Sequence, residues 1–255
     1  MAFDAKDFVI DKVRRVTEVD LETNEVNWTV TQVEDPQVEF TGETTEKRDA
    51  NGVLIAQFDT SKGVTFSGNG SLLSMPVLAS QLGTEVETGT ATTKVTGELF
   101  DVVPVTAGTA TLTYEPKTAP AKIYTVGADK NITGTIDVGT GTDEAQVSGK
   151  TVTLPASFTG NSIGALYTFE AENAIKVTDS AENFAEAAKY IVDILAADVC
   201  NPATKRHGYL VFPKAKIDNN VSIGLTTEGN HPFSFSALAD YCGEGVQLCY
   251  IVWAE

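Results

Sequence analysis

A two-residue alternation of apolar and polar side chains, cut at short intervals by glycine, proline, aspartate and asparagine, runs through most of this chain. Ala110, Leu112 and Tyr114 alternate with threonines in VTAGTATLTYEP, and the same period returns at Val64 and Phe66, at Val221, Ile223 and Leu225, and at Phe233, Phe235 and Ala237. Successive side chains of a strand point to opposite faces, so such segments read as half-buried strands. NWTVTQVEDPQVEF (27–40) reads as strand, turn at Asp35-Pro36, then strand. Asn51-Gly52 is a strong hairpin dipeptide, and the strand Val53 to Asp59 follows it.

Two segments carry helical signals. In SLLSMPVLASQLG, Ser74 suits an N-cap, Pro76 is tolerated in a first turn, and Gly83 suits the C′ position, so a short helix is expected at about 75–82 with Val77, Leu78 and Leu82 on one face. A long helix is expected over 180–199, SAENFAEAAKYIVDILAADV. Asp179 and Glu182 there resemble a capping box, and Phe184, Ala188, Ile191 and Leu195 recur at three- and four-residue spacing. The expected fold class is mainly β (α+β), with these two helices. Residues 1–100 and 171–255 form the main domain in this reading, and 101–170, with its short Thr- and Val-rich strands, is an inserted β-rich module or extended arm.

The last strand poses a packing problem. In QLCYIVWAE, Leu248, Tyr250 and Val252 share one side and Cys249, Ile251 and Trp253 the other. If the first set faces the core, the second needs cover from the long helix or from a neighbouring subunit. Aromatic residues are enriched at contact centres, which makes Cys249, Ile251 and Trp253 candidate inter-subunit contacts.

Composition excludes several classes of function. Thirty-five acidic against eighteen basic residues leave a net charge of −17 over 255 residues, a surface that repels nucleic-acid phosphates. No stretch reaches the ~18 apolar residues of a membrane helix, and MAFDAKDFVIDKVRRV lacks the apolar centre of a signal peptide; maturation in a cytoplasm is the expectation. Cys200, Cys242 and Cys249 are an odd count without CxxC spacing, so no disulfide framework is expected. His207 and His231 have no local partner pattern for nucleophilic chemistry. GNGSLL, GTGTDE and GEGVQL each lack the final glycine of a phosphate loop, and neither metal-ligand spacing nor a full calcium loop occurs. No catalytic residue, metal or cofactor is expected.

VEFTGETTEKRDANGVLIAQFDTSKGVTFSGNGSLLSMPVLASQLG, with its strand, charged loop, hairpin and short helix in that order, resembles the first half of bacteriophage tail tube (major tail) proteins. VFPKAKIDNNVSIGLTTEGNHPFSFSALAD followed by LCYIVWAE is similar to the closing strands of that family. The likeness covers roughly 37–100 and 205–255, and the 101–170 insertion loosely. The resemblance implies a non-enzymatic virion structural protein, a β-sandwich or barrel-like subunit whose copies form hexameric rings stacked into a hollow tube. By the same resemblance the protein is assembled in the host cytoplasm. Its expected partners are further copies of itself, the tape measure protein in the lumen, the tail terminator, baseplate or tail-tip proteins, and a sheath where the tail contracts. DNA would pass through without specific binding. The family's inter-ring loop falls on Thr44, Thr45, Glu46, Lys47, Arg48, Asp49, Ala50, Asn51 and Gly52. The other classes considered are a capsid decoration protein and a receptor- or carbohydrate-binding β-sandwich.

Overall fold

The computed structural model describes residues 8–198, 204–227, 229–239 and 246–254. Cys200, Cys242 and residues 243–245 of the GEGVQL turn lie outside the described residues. The chain forms two compact units, one from its two ends up to Val86 and from Val177, the other from Glu87–Lys176. The N-terminal part supplies β1 (Phe8–Val19), β2 (Val26–Val30), β3 (Val33–Arg48), β4 (Leu54–Gly70) and helix α1 (Met75–Leu82). The middle supplies β5 (Glu87–Thr88), β6 (Val95–Thr106), β7 (Thr109–Thr111), β8 (Lys122–Val126), β9 (Ile132–Asp137), β10 (Gln146–Ser148), β11 (Thr151–Thr153), β12 (Ser162–Ala171) and β13 (Ile175–Lys176). The C-terminal part adds β14 (Ala187–Asp198), β15 (Lys205–Ile217), β16 (His231–Ala237) and β17 (Tyr250–Ala254).

The first unit is an eight-stranded antiparallel sheet in the order β2-β1-β14-β15-β16-β4-β3, with β17 lying beside the first half of β15. The sheet curls. Trp28 on β2 and Phe233 on β16 have ring centroids 6.1 Å apart, although a flat sheet would hold those strands roughly 19 Å apart at about 4.8 Å per strand. At the far side β1 approaches β3, so one face is turned in on itself as in a barrel. That face holds the core. Phe235 stacks on Tyr190 at 4.1 Å and on Phe66 at 5.0 Å, and meets Phe212 edge-on at 5.0 Å. Trp28 closes one end of this group against Tyr190.

Three expectations are corrected. Residues 180–199 do not form a long helix: 187–198 are β14, a central strand paired with β1 and β15. Tyr190, Val192, Ile194 and Ala196 are buried at strict two-residue spacing. Placement between two strands outweighs the helix propensity of the alanines and glutamates, which is a weak preference of tenths of a kcal/mol per residue. The expected cap becomes a turn, with Ser180 Oγ accepting from the Glu182 amide at 3.4 Å. Asp35-Pro36 is a bulge inside β3 rather than a turn between strands: the register shifts between Glu34 and Gln37, and Asp35 has φ 48. β3 is an edge strand, where a proline removes no ladder bond. Finally, Val221, Ile223 and Leu225 alternate in a loop and not in a strand. The short helix forms with the expected caps, the Ser74 hydroxyl accepting from the Val77 amide, Pro76 in the first turn and Gly83 left-handed, but its buried residues are Val77, Ala79 and Gln81, and Leu78 and Leu82 are only half-buried.

Two buried polar clusters pin α1 to the sheet. Glu18 is 3% exposed, and its carboxylate accepts from Tyr190 (2.6 Å), Ser80 (2.9 Å) and Asn27 (2.9 Å). Burial, with that carboxylate beside it, keeps the Tyr190 hydroxyl protonated well above its ordinary range. His231 accepts the Ser74 amide at Nδ1 (3.2 Å), so Nε2 carries the proton and donates to Gln81 Oε1 (2.9 Å), while Gln81 Nε2 donates to the Pro232 carbonyl (3.0 Å). Burial lowers the His231 pKa.

The second unit is a seven-stranded sheet, β10-β11-β7-β6-β12-β8-β9, with the short β5–β13 pair joining the two ends of the segment. Its core gathers Leu112, Ile123, Val152, Ile163 and Tyr167. Asp101, 7% exposed, accepts from the Tyr167 hydroxyl (2.9 Å) and from both the amide and hydroxyl of Thr113. Burial pushes the Tyr167 hydroxyl up to about 12.

Replacing Phe235 by alanine is expected to remove about 3–5 kcal/mol of folding stability, read as a lowered denaturant midpoint. His231 is neutral in the fold and has a depressed pKa, so protons bind the unfolded chain first as pH falls. Stability from this group is therefore full above about pH 6.5, its unfolded value, and declines as pH drops toward the lower folded value. Melting curves of the parent and of His231→Gln between pH 7.5 and 5 should differ in slope only in the acid part of that range.

Candidate functional site

β4 is longer than the sheet it belongs to. β16 pairs with its Thr65–Gly70 part, and residues 54–63 pair with β3 alone among the described strands. Beyond the core, 41–48 and 54–63 thus form a two-stranded arm of roughly 30 Å at ~3.3 Å per residue. Two bulges interrupt its register, between Glu43 and Thr44 and between Lys47 and Arg48.

The tip is held by its own hydrogen bonds. Asp49 Oδ1 accepts the amides of Asn51 (2.9 Å) and Val53 (2.8 Å), and the Gly52 amide donates to the Asp49 carbonyl at 3.1 Å. Gly52 has φ +80, a conformation glycine adopts without strain. Arg48 reaches the Gly52 carbonyl (3.0 Å) and Glu46 (2.6 Å). The nine residues expected to form an inter-ring loop are therefore placed together. Thr44, Thr45, Glu46, Lys47 and Arg48 lie on β3, Asp49, Ala50, Asn51 and Gly52 form the turn, and all are exposed.

The arm and its tip also carry apolar residues that the charged pattern did not announce: Phe58 is 60% exposed, Ile55 61%, Val53 60% and Leu54 43%, and Phe40, at the base of the arm, is 65% exposed. Single exposed hydrophobics are normal, but three in succession at one tip, Val53, Leu54 and Ile55, suit an interaction surface. The signal in the sequence was the run VLIAQF following Asn-Gly, which reads equally as an ordinary buried strand.

The last strand is ordered differently from the sequence reading. Trp253 pairs with Gly208 and Ile251 with Leu210, and Gly208 and Leu210 are buried. Ile251 and Trp253 therefore take the core-facing side of β17, and Trp253 packs on the core together with both Leu248 and Cys249 just before the strand. Burial raises the Cys249 thiol pKa. The indole lies over Gly208, where a Cβ would collide with it. Ile251 stays 50% exposed at the strand's free flank, and on the opposite face Tyr250 is 39% and Val252 48% exposed. Ile191, Tyr209 and Val211, at the matching registers on β14 and β15, extend that opposite face as half-buried residues.

Chemistry of other kinds has little purchase. Among the described residues no three His, Cys, Asp or Glu side chains are grouped to hold a metal, and no helix is long and apolar enough to cross a membrane. His207 meets Asp193 at 3.3 Å, and the same buried carboxylate takes Arg15 at 3.1 Å. The second unit holds an open cleft of about 760 Å³ lined by Thr125, Thr133, Asp137, Phe158 and Asn161.

Because the arm makes no core contact, Ile55→Lys with Phe58→Lys is expected to leave folding stability within about 0.5 kcal/mol of the parent. Urea denaturation of dilute protein checks this. A larger loss would mean that the arm is part of the folding unit.

A protein-family model described as the YomU/Tube protein family matches residues 8–251. The match spans both units, and it agrees with the resemblance to tail tube proteins noted from the sequence. No curated protein matches the chain.

Proposed function

The chain belongs to the YomU/Tube protein family, and from this premise we propose that it is the repeating subunit of a phage tail tube. Such a protein is structural rather than catalytic. Six copies form a ring, and rings stack around a lumen through which the genome leaves and in which the tape measure protein lies. A terminator closes one end, baseplate or tip proteins the other, and a sheath surrounds the tube where the tail contracts. The protein is placed in the virion tail, assembled in the host cytoplasm.

The arm built from β3 and β4 carries this reading. It projects from the first unit, keeps its shape by local hydrogen bonds, and exposes four large apolar side chains along its length and tip. Two further features support it. The outer strands β2 and β3 each have one hydrogen-bonding edge without a partner among the described strands, which suits continuation of the sheet from subunit to subunit. The net charge of −17 suits a conduit from which DNA is repelled. Thr44–Gly52 sets the register between rings through its mixed charges, since exposed ion pairs confer specificity more than stability. Tyr250, Ile251 and Val252 are the β17 residues available to a neighbour, with Cys249 and Trp253 supporting them from the core side. The first unit forms the tube, and residues 87–176 are a module inserted into it.

Negative-stain electron microscopy of the purified chain over rising concentration tests the proposal. Hollow tubes or stacked rings of constant diameter are expected. Uniform small particles at every concentration would count against it and in favour of a decoration or binding module.

A further inference from the structure

At the end of β4 opposite the arm, a second apolar surface is exposed. Leu72 (66% exposed) and Leu73 (46%) follow β4, and Leu225 (89%) comes from the loop between β15 and β16. With Ile223 they line one cavity of about 310 Å³. None of them belongs to the core of the unit. The loop that presents Leu225 is tightly folded: the Gly229 amide donates to the Thr226 carbonyl at 3.0 Å, and a Cβ on Gly229 would strike the Gly224 carbonyl. A leucine left almost fully in water contributes little to folding, and beside Leu72 and Leu73 it makes an apolar group of the kind that marks a contact surface.

We infer that this leucine-lined cavity receives the arm tip of the next copy of the chain. The inference rests on the tube reading and adds the receiving surface to it. Three observations select a second copy as the occupant. First, donor and receiver sit at the two ends of the same strand, so repetition of one contact builds an open, unclosed stack. Second, the volume fits. A cavity of about 150 Å³ accepts a benzene-sized group, so 310 Å³ has room for an aliphatic side chain such as that of Ile55. Third, the charges agree. The tip residues 45–56 carry Glu46 and Asp49 against Lys47 and Arg48, a net of zero in a chain of net −17. Glu34, whose carboxylate accepts from Ser71 of the cavity lining at 2.8 Å, is opposite in sign to the exposed Lys47 of the tip. The 17 residues of β4 span at most about 58 Å at 3.4 Å each, which bounds the axial repeat that this contact can produce.

The test uses three charged variants at exposed positions, Ile55→Asp in the tip and Leu225→Asp and Leu72→Asp in the receiver, each first shown by circular dichroism to fold as the parent does. Parent protein is expected to form tubes, with each variant raising the critical concentration at least tenfold. Immobilised Ile55→Asp, whose receiver is intact, should capture Leu225→Asp, whose tip is intact, at least tenfold more tightly than either variant captures itself. If the parent forms tubes and the receiver variants form them equally well, the receiving surface is wrong and the tube reading stands. If the parent forms neither tubes nor stacked rings at any concentration, the tube reading fails and the inference fails with it. A receiver variant that blocks assembly without being captured by the tip variant would also overturn the pairing.

Discussion

Phe235 meets aromatic rings from β4, β14 and β15 within about 5 Å, and that contact depends on the curl of the whole sheet. Three antiparallel strands can be adjacent in a flat sheet, but a ring on β2 cannot then reach one on β16. Trp28 does reach Phe233 and Tyr190. The aromatic group is thus both the product of the curl and its main stabiliser, since offset and edge-on ring pairs add to the burial of their area. The rest of the first unit is arranged around it. α1 covers the open end, and its polar ties to Glu18 and His231 satisfy groups that the curled sheet would otherwise bury without partners.

The same curl explains why the arm leaves the body. Residues 65–70 of β4 follow β16 and the core, whereas 54–63 pair with β3 alone. A two-stranded ribbon of that length is marginal by itself. Here it is anchored by a continuous strand at one end and closed at the other by the Asp49 turn and the Arg48 contacts. It needs no core to keep its shape, which leaves its apolar side chains available to a partner at little conformational cost.

Much of this was legible in the residues. The two-residue period, Asn51-Gly52, the Ser74 cap and Gly83 each matched a local rule that nothing in the fold opposes. The failures came where two rules fitted one segment. In 180–199, Phe184, Ala188, Ile191 and Leu195 satisfy a helical spacing, while Tyr190, Val192, Ile194 and Ala196 satisfy a strand spacing four residues long. Only the presence of β1 and β15 on either side decides between them. Leu225 and its neighbours kept a strand period with no adjacent strand to pair with. The apolar half of the arm was hidden for the converse reason: LIAQF looks like any buried strand, and burial is a property of what surrounds it. β17 shows the same limit. Both its faces are apolar in the sequence, and the register on Gly208 and Leu210 settles which one meets the core.

Exposed apolar arms and open sheet edges favour indiscriminate association, and this chain opposes that tendency with charge. At −17, two copies repel at every approach except one that aligns locally neutral or opposite patches, and repulsion between exposed charges is screened beyond about 10 Å at 0.1 M salt. Repulsion within that range therefore weighs on which approaches succeed, and the fit of the surfaces sets how copies dock. The neutral tip of the arm, in an otherwise acidic chain, is the part that such a balance leaves free to make contact. An added negative charge there would act on encounter as well as on fit, while the same charge on the far acidic surface would act on encounter alone.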